Sequence, residues 1–199
     1  MYTVVPGFID LQVNGYRGID FSDTSLTLES AANAIRGLLS DGGCAAVLPT
    51  VISSSLSVYE HVLPLLAFLI DGSEEFQGRI LGIHLEGPFI SGKSGAVGCH
   101  NPKNVRAPSV ELMQHWQRLA KGHVCLVTVA AEACVDGGGG GATKFIPWCV
   151  ENGIAVSLGH QLASMEEIDL AAGMGATGMT HLGNGLPNMV HRHKNPIWK

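Results

Sequence analysis

The sequence has little charge and no basic bias that would indicate a polyanionic partner. Only 15% of its 199 residues are charged, and the formal net charge is -5. Nucleic-acid-binding domains carry clustered Lys and Arg, whereas this chain has 12 such residues against 17 acidic ones. We therefore expect no nucleic-acid partner.

Long apolar runs are lacking as well. The longest, residues 62–70, contains Pro64 and is far shorter than the ~20 residues of a membrane span. Met1 leads directly into a strand-like segment, so we expect no signal peptide. Hydrophobic residues make up 46% of the chain, which is enough for one sizeable core. These features predict a globular cytoplasmic protein without membrane contact.

The cysteines show no paired pattern. Five are present, namely Cys44, Cys99, Cys125, Cys134 and Cys149. Because they are odd in number and scattered, without a C-x-x-C pair, they argue against a disulfide framework or a zinc ribbon and favour a reducing compartment. The glycine run at 137–141 also lacks the Lys-Ser/Thr of a phosphate-binding loop, so we interpret it as a surface loop.

Apolar segments alternate with helical patterns along the chain. Six segments are predicted as strands, at residues 4–11, 44–48, 79–83, 124–130, 154–158 and 176–180. Apolar residues three and four positions apart predict helices between them, and Pro64 is expected to kink or interrupt the second helix. This alternation predicts an α/β fold with a parallel sheet, either doubly wound or a (β/α)8 barrel.

Polar side chains lie at or just past the predicted strand ends. They are Gln12, Asn14, Glu86, His160 and His181. In a barrel the carboxyl ends of the strands converge on one mouth, where active sites form. In an open sheet only the switch point forms a crevice. The arrangement favours one domain over residues 1–199, a TIM barrel that is incomplete because about six of eight βα units are recognisable.

Three of these residues suit a metal ion. Glu86, His160 and His181 offer one carboxylate and two imidazoles, a set that fits zinc or another first-row divalent ion and leaves positions open for water and substrate. Taken singly, each is more often a rim carboxylate or a hydrogen-bonded core histidine. Their occurrence at three strand ends favours a metal site. Such an ion activates water and polarises a carbonyl, so hydrolysis of an amide or similar bond is the predicted reaction.

Five segments carry a family resemblance. In chain order they are PGFIDLQVNG at 6–15, GIHLEGPFIS at 82–91, GCHNP at 98–102, VSLGH at 156–160 and THLGNGLPNMVHRH at 180–193. Together they resemble the N-acetylglucosamine-6-phosphate deacetylases of the amidohydrolase superfamily over essentially the whole chain. The resemblance implies a barrel of the metal-dependent hydrolase type and deacetylation of N-acetylglucosamine 6-phosphate to glucosamine 6-phosphate and acetate, in amino-sugar catabolism.

The resemblance also implies roles for individual residues. Glu86, His160 and His181 would be the metal ligands. Gln12 and Asn14 occupy positions where many amidohydrolases have a His-x-His pair for a second metal, and amides are poor ligands for that site. We therefore predict one divalent ion, with zinc expected, and vacant second-metal positions. The implied substrate-binding residues are Cys99, His100, Asn184, Gly185 and a phosphate-binding Arg192.

No chemical role is predicted for His84 or Glu132, and no nucleophilic role for Cys99. His84 is either a core residue or a neighbour of the metal ligands. Glu132 follows the fourth strand where the family usually has Pro-Glu, but Ala131 replaces the proline, so no role is assigned to Glu132. Cys99 has no His-Asp partner for nucleophilic catalysis, so a thiol mechanism is not expected.

The departures from the family concern the end of the barrel. The family's general base is an Asp on the last barrel strand, which we expect beyond Lys199, so no catalytic residue is assigned in this chain. The flanking β-sandwich is also not represented. The alternatives left open are an inactive truncated deacetylase, a barrel completed by another chain, a metal- or sugar-phosphate-binding module, and an amidohydrolase acting on a different amide. Glucosamine and galactosamine substrates are both compatible, and a homodimer is expected.

Overall fold

The computed structural model describes residues 6–135, 142–193 and 195–197. The predicted surface loop at 137–141 and the first two residues of the strand predicted at 4–11 lie outside these ranges. The chain divides into two compact units. The first comprises Met1–Val51, Ser55–His84 and Trp116–Val124, and the second Ile52–Ser54, Leu85–His115 and Cys125–Lys199.

The N-terminal elements begin with a strand and a short hairpin. They are β1 (Phe8–Val13), β2 (Gly15–Tyr16), β3 (Ile19–Asp20), α1 (Leu28–Asp41), β4 (Cys44–Ile52) and α2 (Leu56–Gly72). The Thr27 side chain caps α1 in a reciprocal pair with Ser30, which satisfies two backbone N–H groups. Helix α2 continues through Pro64 without interruption. Its apolar side chains are largely buried, and that burial offsets the hydrogen bond that proline removes.

The remaining elements alternate as the sequence predicts. Two 3-10 turns occur at Glu74–Phe76 and Pro102–Asn104, and the regular elements are β5 (Ile83–Glu86), α3 (Val110–Leu119), β6 (Val124–Val129), α4 (Ala131–Val135), α5 (Ala142–Glu151), β7 (Ala155–Leu158), α6 (Met165–Gly173) and β8 (Gly178–Met179). The predicted capping box of Ser164 and Glu167 begins α6. The short helix α4 was not predicted.

The third strand differs from its prediction. The apolar run at 79–83 was expected to form it, but within that run Ile80 makes an isolated bridge to Val47, and β5 covers Ile83–Glu86. The prediction was wrong because it placed the strand on the apolar residues alone. Two of the four residues of β5, His84 and Glu86, are polar, yet both are buried within the strand. Glu86 is therefore the last residue of a strand and does not follow one.

The strand order distinguishes the two predicted architectures. The six-stranded sheet has the order β1-β4-β5-β6-β7-β8, and the pairs β1–β4, β6–β7 and β7–β8 are parallel. A doubly wound sheet reverses its order at a switch point. Here, apart from the β2–β3 hairpin, each strand lies beside the next strand of the chain, as consecutive strands do in a (β/α)8 barrel. The prediction of an incomplete TIM barrel is confirmed.

Each unit has its own buried cluster. In the first, Tyr59 stacks on Trp116 with ring centroids 4.3 Å apart, and the His84 Nδ1 lies 3.0 Å from the Leu11 carbonyl oxygen. This contact supports the core alternative for His84. In the second, Phe89 and Phe145 pack edge to face at 4.8 Å. Among the described residues, no helix combines the length and apolarity of a membrane span.

Candidate metal centre

Three strand ends in the second unit carry the predicted ligands. Glu86 ends β5, His160 lies two residues after β7, and His181 lies two residues after β8. Both histidines have a left-handed backbone, with φ of 49° and 31°. Carboxyl ends of parallel strands are where barrel enzymes place their active sites, and the predicted positions agree with that rule.

The three side chains meet at one point. The Glu86 Oε1 lies 2.9 Å from the His181 Nε2 and 3.1 Å from the His160 Nε2. One ligand atom from each residue lies within 4.8 Å of the others, and the described ranges contain no other such group of three His, Cys, Asp or Glu. Ligands bonded to one zinc ion at about 2 Å each lie about 3 Å apart. The donor set and its spacing fit a divalent ion.

Burial and charge set the protonation of this cluster. Burial acts to raise the pKa of Glu86, but hydrogen bonds with His160 and His181 and the charges of nearby imidazoles outweigh it and lower the pKa to about 2. For His100, burial is the largest cause and lowers the pKa to about 4, with repulsion from His160 adding to it. At neutral pH the cluster therefore combines an ionised carboxylate with a neutral His100.

The orientation of His160 is fixed by a backbone carbonyl. Its Nδ1 lies 2.9 Å from the Ala96 oxygen, and a carbonyl oxygen accepts hydrogen bonds only. The Nδ1 must therefore carry a hydrogen, and the Nε2 is the ring atom left to bind a metal ion. Two glycines lie against the ring, because an added Cβ would stand 2.9 Å from its Cε1 at Gly98 and 3.0 Å from its Nδ1 at Gly185.

His100 lies beside the ligands and is buried. Its Nε2 is 3.2 Å from the His160 Nε2 and 3.8 Å from the Glu86 Oε2. The Ser53 N–H donates to the His100 Nδ1 at 3.3 Å, and the Ser53 hydroxyl is 2.9 Å from the same atom. The structure thus brings His100 into the cluster, while its substrate-binding role stays a prediction.

The other predicted site residues differ in exposure. Cys99, Asn184 and Arg192 are exposed, and Gly185 is buried against the His160 ring. Gln12 and Asn14 belong to the first unit. Their assignment as vacant second-metal positions stays a prediction.

Several contacts of the site were not predicted from the sequence. The hydroxyl of Thr180 donates to Ser157 at 2.7 Å and lies 2.7 Å from that of Thr128, so a buried hydroxyl chain links β6 and β7 to the residue before His181. The indication of this chain in the sequence was Thr180, a hydroxyl residue that directly precedes the candidate ligand His181. The Ala96 contact and one of the two Ser53 contacts use backbone atoms, so residue type gave no indication of them.

Curated proteins of known activity match the chain. It is 38% identical over 195 residues to the N-acetylglucosamine-6-phosphate deacetylase of Caenorhabditis elegans, covering 94% of this chain and 44% of that protein. The corresponding enzyme of Danio rerio is 35% identical over 193 residues, with 95% and 45% covered. An N-acetylgalactosamine-6-phosphate deacetylase of Shewanella is 35% identical over 197 residues, with 98% and 46% covered. No protein-family model matches the chain.

Solved structures agree with these relatives. The N-acetylglucosamine-6-phosphate deacetylase of Pasteurella multocida superposes with a TM-score of 0.78 at 28% identity, covering 95% of this chain and 46% of that one. A mutant of the Mycobacterium smegmatis enzyme in complex with N-acetyl-D-glucosamine-6-phosphate gives a TM-score of 0.80 at 28% identity, with 96% and 46% covered. Along almost its whole length the chain is thus related to N-acetylglucosamine-6-phosphate deacetylases, of which it spans slightly less than half.

Proposed function

We propose that the chain forms the metal-binding and part of the sugar-phosphate-binding site of an N-acetylglucosamine-6-phosphate deacetylase. The reaction is hydrolysis of the acetamido bond to glucosamine 6-phosphate and acetate, a step of amino-sugar catabolism. The observation that carries the proposal is the convergence of Glu86, His160 and His181 within 4.8 Å. Relatives named for this activity match 95% and 94% of the chain.

One divalent ion, with zinc favoured by the nitrogen and oxygen donors, would be held by the Glu86 Oε1 and the two Nε2 atoms. When bound, it supplies Lewis acidity to the amide carbonyl and lowers the pKa of water. The protein's own contribution is orientation. The Ala96 carbonyl holds the His160 tautomer, and Ser53 holds His100. Groups fixed in this way need no rearrangement during the reaction.

The substrate would be an amino-sugar phosphate. The exposed Arg192 would bind the phosphate dianion, for which the guanidinium fork is suited. Cys99 would contact the sugar through its backbone, and Asn184 and Gly185 would bind it with main-chain groups. Since one relative is named for galactosamine, both sugars belong in the test.

A second candidate function is binding without turnover. It is favoured by one observation, namely that none of the site residues assigned in this chain is a general base. A homodimer stays part of the proposal, and the five free cysteines support a cytosolic location.

The deciding experiment measures acetate release and binding in parallel. The 199-residue protein, supplied with zinc, is mixed with N-acetylglucosamine 6-phosphate, its galactosamine epimer and unphosphorylated N-acetylglucosamine. Acetate released from a phosphorylated sugar and lost in Glu86→Gln and His181→Ala supports the deacetylase. Sugar-phosphate binding without acetate release supports the binding module. Equal turnover of the unphosphorylated sugar would indicate another amidohydrolase.

A further inference from the structure

His160 has a backbone conformation that needs support. Its φ of 49° lies in the left-handed region, which is strained for a non-glycine residue and persists only where the surroundings hold it. One support is the Ser91 N–H, which donates to the His160 carbonyl at 2.9 Å. This bond holds the carbonyl group of His160. It does not hold the two residues that follow, Gln161 and Leu162.

Two side chains hold that following segment. The Glu132 Oε1 accepts from the Leu162 N–H at 2.8 Å, and the Gln161 Oε1 accepts from the Ala131 N–H at 3.0 Å. Side chains from each segment thus bind the backbone of the other. We call this reciprocal pair the Glu132–Gln161 clasp.

The clasp involves the first two residues of a helix. Ala131 begins α4, and its N–H has no acceptor within that helix, so Gln161 supplies one. Gln161 itself is 2% exposed. Burial raises the pKa of Glu132, whereas hydrogen bonding from the Leu162 N–H is the largest of the influences that lower it. The clasp therefore joins the start of α4 to the two residues after His160 in a water-poor setting, where hydrogen bonds are strong.

We infer that Glu132 and Gln161 are positioning residues that hold the backbone after His160 and thereby aim its imidazole at the metal. The inference rests on the metal site proposed above and assigns a role to Glu132, for which the sequence offered none. Neither residue is one of the proposed ligands, so both act through His160. Partners that orient a metal ligand commonly contribute tenfold or more to affinity.

The test is zinc affinity of the full 199-residue chain, measured by competition with a chromophoric chelator. Glu132→Ala is expected to weaken zinc binding about 10–100-fold. Glu132→Gln keeps an acceptor oxygen for the Leu162 N–H, so its affinity is expected to be unchanged. The matched control is Glu167→Ala, which removes the acceptor for the Ser164 N–H at the start of α6. It is expected to lower the melting temperature and leave zinc affinity as in the unmodified protein.

The outcomes separate this inference from the proposed function. If the unmodified protein binds no zinc, the metal site and the clasp are both overturned. If it binds zinc and Glu132→Ala binds equally well, the clasp alone is overturned. Glu132→Gln behaving like Glu132→Ala would also overturn it, because charge and not hydrogen bonding would then be required. Should Glu132→Ala fail to fold, Gln161→Ala replaces it, with the same loss expected and unchanged affinity as the contrary result.

Discussion

The Nδ1 of His160 lies 2.9 Å from the carbonyl oxygen of Ala96. Because that oxygen accepts and never donates, the Nδ1 carries a hydrogen, and the Nε2 is left as the ring atom that can bind a metal ion. The choice is made by the fold and not by the ion. His160 is thus oriented for metal binding before any metal binds.

Metal stoichiometry tests the site most directly. We expect one tightly bound equivalent of zinc per chain, because Gln12 and Asn14 offer amides where a second ion would need stronger ligands. Glu86→Gln removes the only anionic ligand of the trio and should abolish tight binding. The measurement is metal content after dialysis, by plasma mass spectrometry. Two tightly bound equivalents would contradict the prediction.

The glycine next to His160 gives a second prediction. Gly98 has φ of 58°, and an added Cβ would stand 2.9 Å from the His160 Cε1. We expect Gly98→Ala to displace the ring, to weaken zinc binding at least about tenfold and to cost about 1–3 kcal/mol of stability. Calorimetric zinc titration and urea unfolding measure the two effects.

Gly92 provides the control for that experiment. It lies in the same loop, and its added Cβ would meet Val105 at 3.7 Å, an ordinary contact. Gly92→Ala should leave zinc affinity unchanged. Equal affinity of the Gly98→Ala and Gly92→Ala proteins would show that the close approach to His160 does not position it.

Acid should destabilise the metal-free protein through His100. Its pKa is about 4 in the folded state against an ordinary 6.5, so the unfolded chain takes up the proton first as pH falls. Stability is fully present above pH 6.5 and is lost between 6.5 and 4, by about 3 kcal/mol at about 1.4 kcal/mol for each pH unit. Glu86, with a pKa of about 2 against 4.5, adds a separate loss below pH 4.5.

Urea unfolding across pH 7 to 4 measures that loss. His100→Gln should flatten the window between 6.5 and 4, whereas His115→Gln, which changes a half-buried helix residue, should keep it. A His100→Gln protein with the same pH dependence as the unmodified one would rule out His100 as its source.

Cysteine reactivity should follow burial. Cys134 and Cys149 are fully buried, and burial raises the pKa of each thiol to about 12, so thiolate is scarce at pH 8. Cys99 is exposed and should react with iodoacetamide first. Peptide mass spectrometry over time should show Cys134 and Cys149 modified only after urea is added. Labelling of either at the rate of Cys99 would contradict the burial.

The ligands were predictable because of where they lie. Glu86, His160 and His181 lie at or just past the ends of apolar segments, and the carboxyl ends of the strands of a barrel converge on one mouth. The bounds of β5 were not predictable in the same way. His84 and Glu86 are polar yet buried, and burial of this kind depends on partners distant in sequence, such as the Leu11 carbonyl for His84.

The contacts that orient the ligands were the least predictable. Ala96 and Ser91 act on His160 through backbone atoms, which every residue has, so residue type carried no information. Glu132 was visible as a carboxylate after a strand, but its partner is the N–H of Leu162. A side chain bonded to backbone leaves no complementary residue type in the sequence.

The hydroxyl chain of Thr128, Thr180 and Ser157 has a consequence for ion choice. It joins the strands directly below His160 and His181, and an added Cβ at Gly159 would stand 3.0 Å from Thr128 and Thr180 side-chain atoms, so the strands are closely packed there. We therefore expect the strand spacing to limit how far the gap between the two imidazoles can widen. A gap limited in this way would favour small divalent ions such as zinc over larger ones such as calcium, which binds its ligands at about 2.3–2.6 Å.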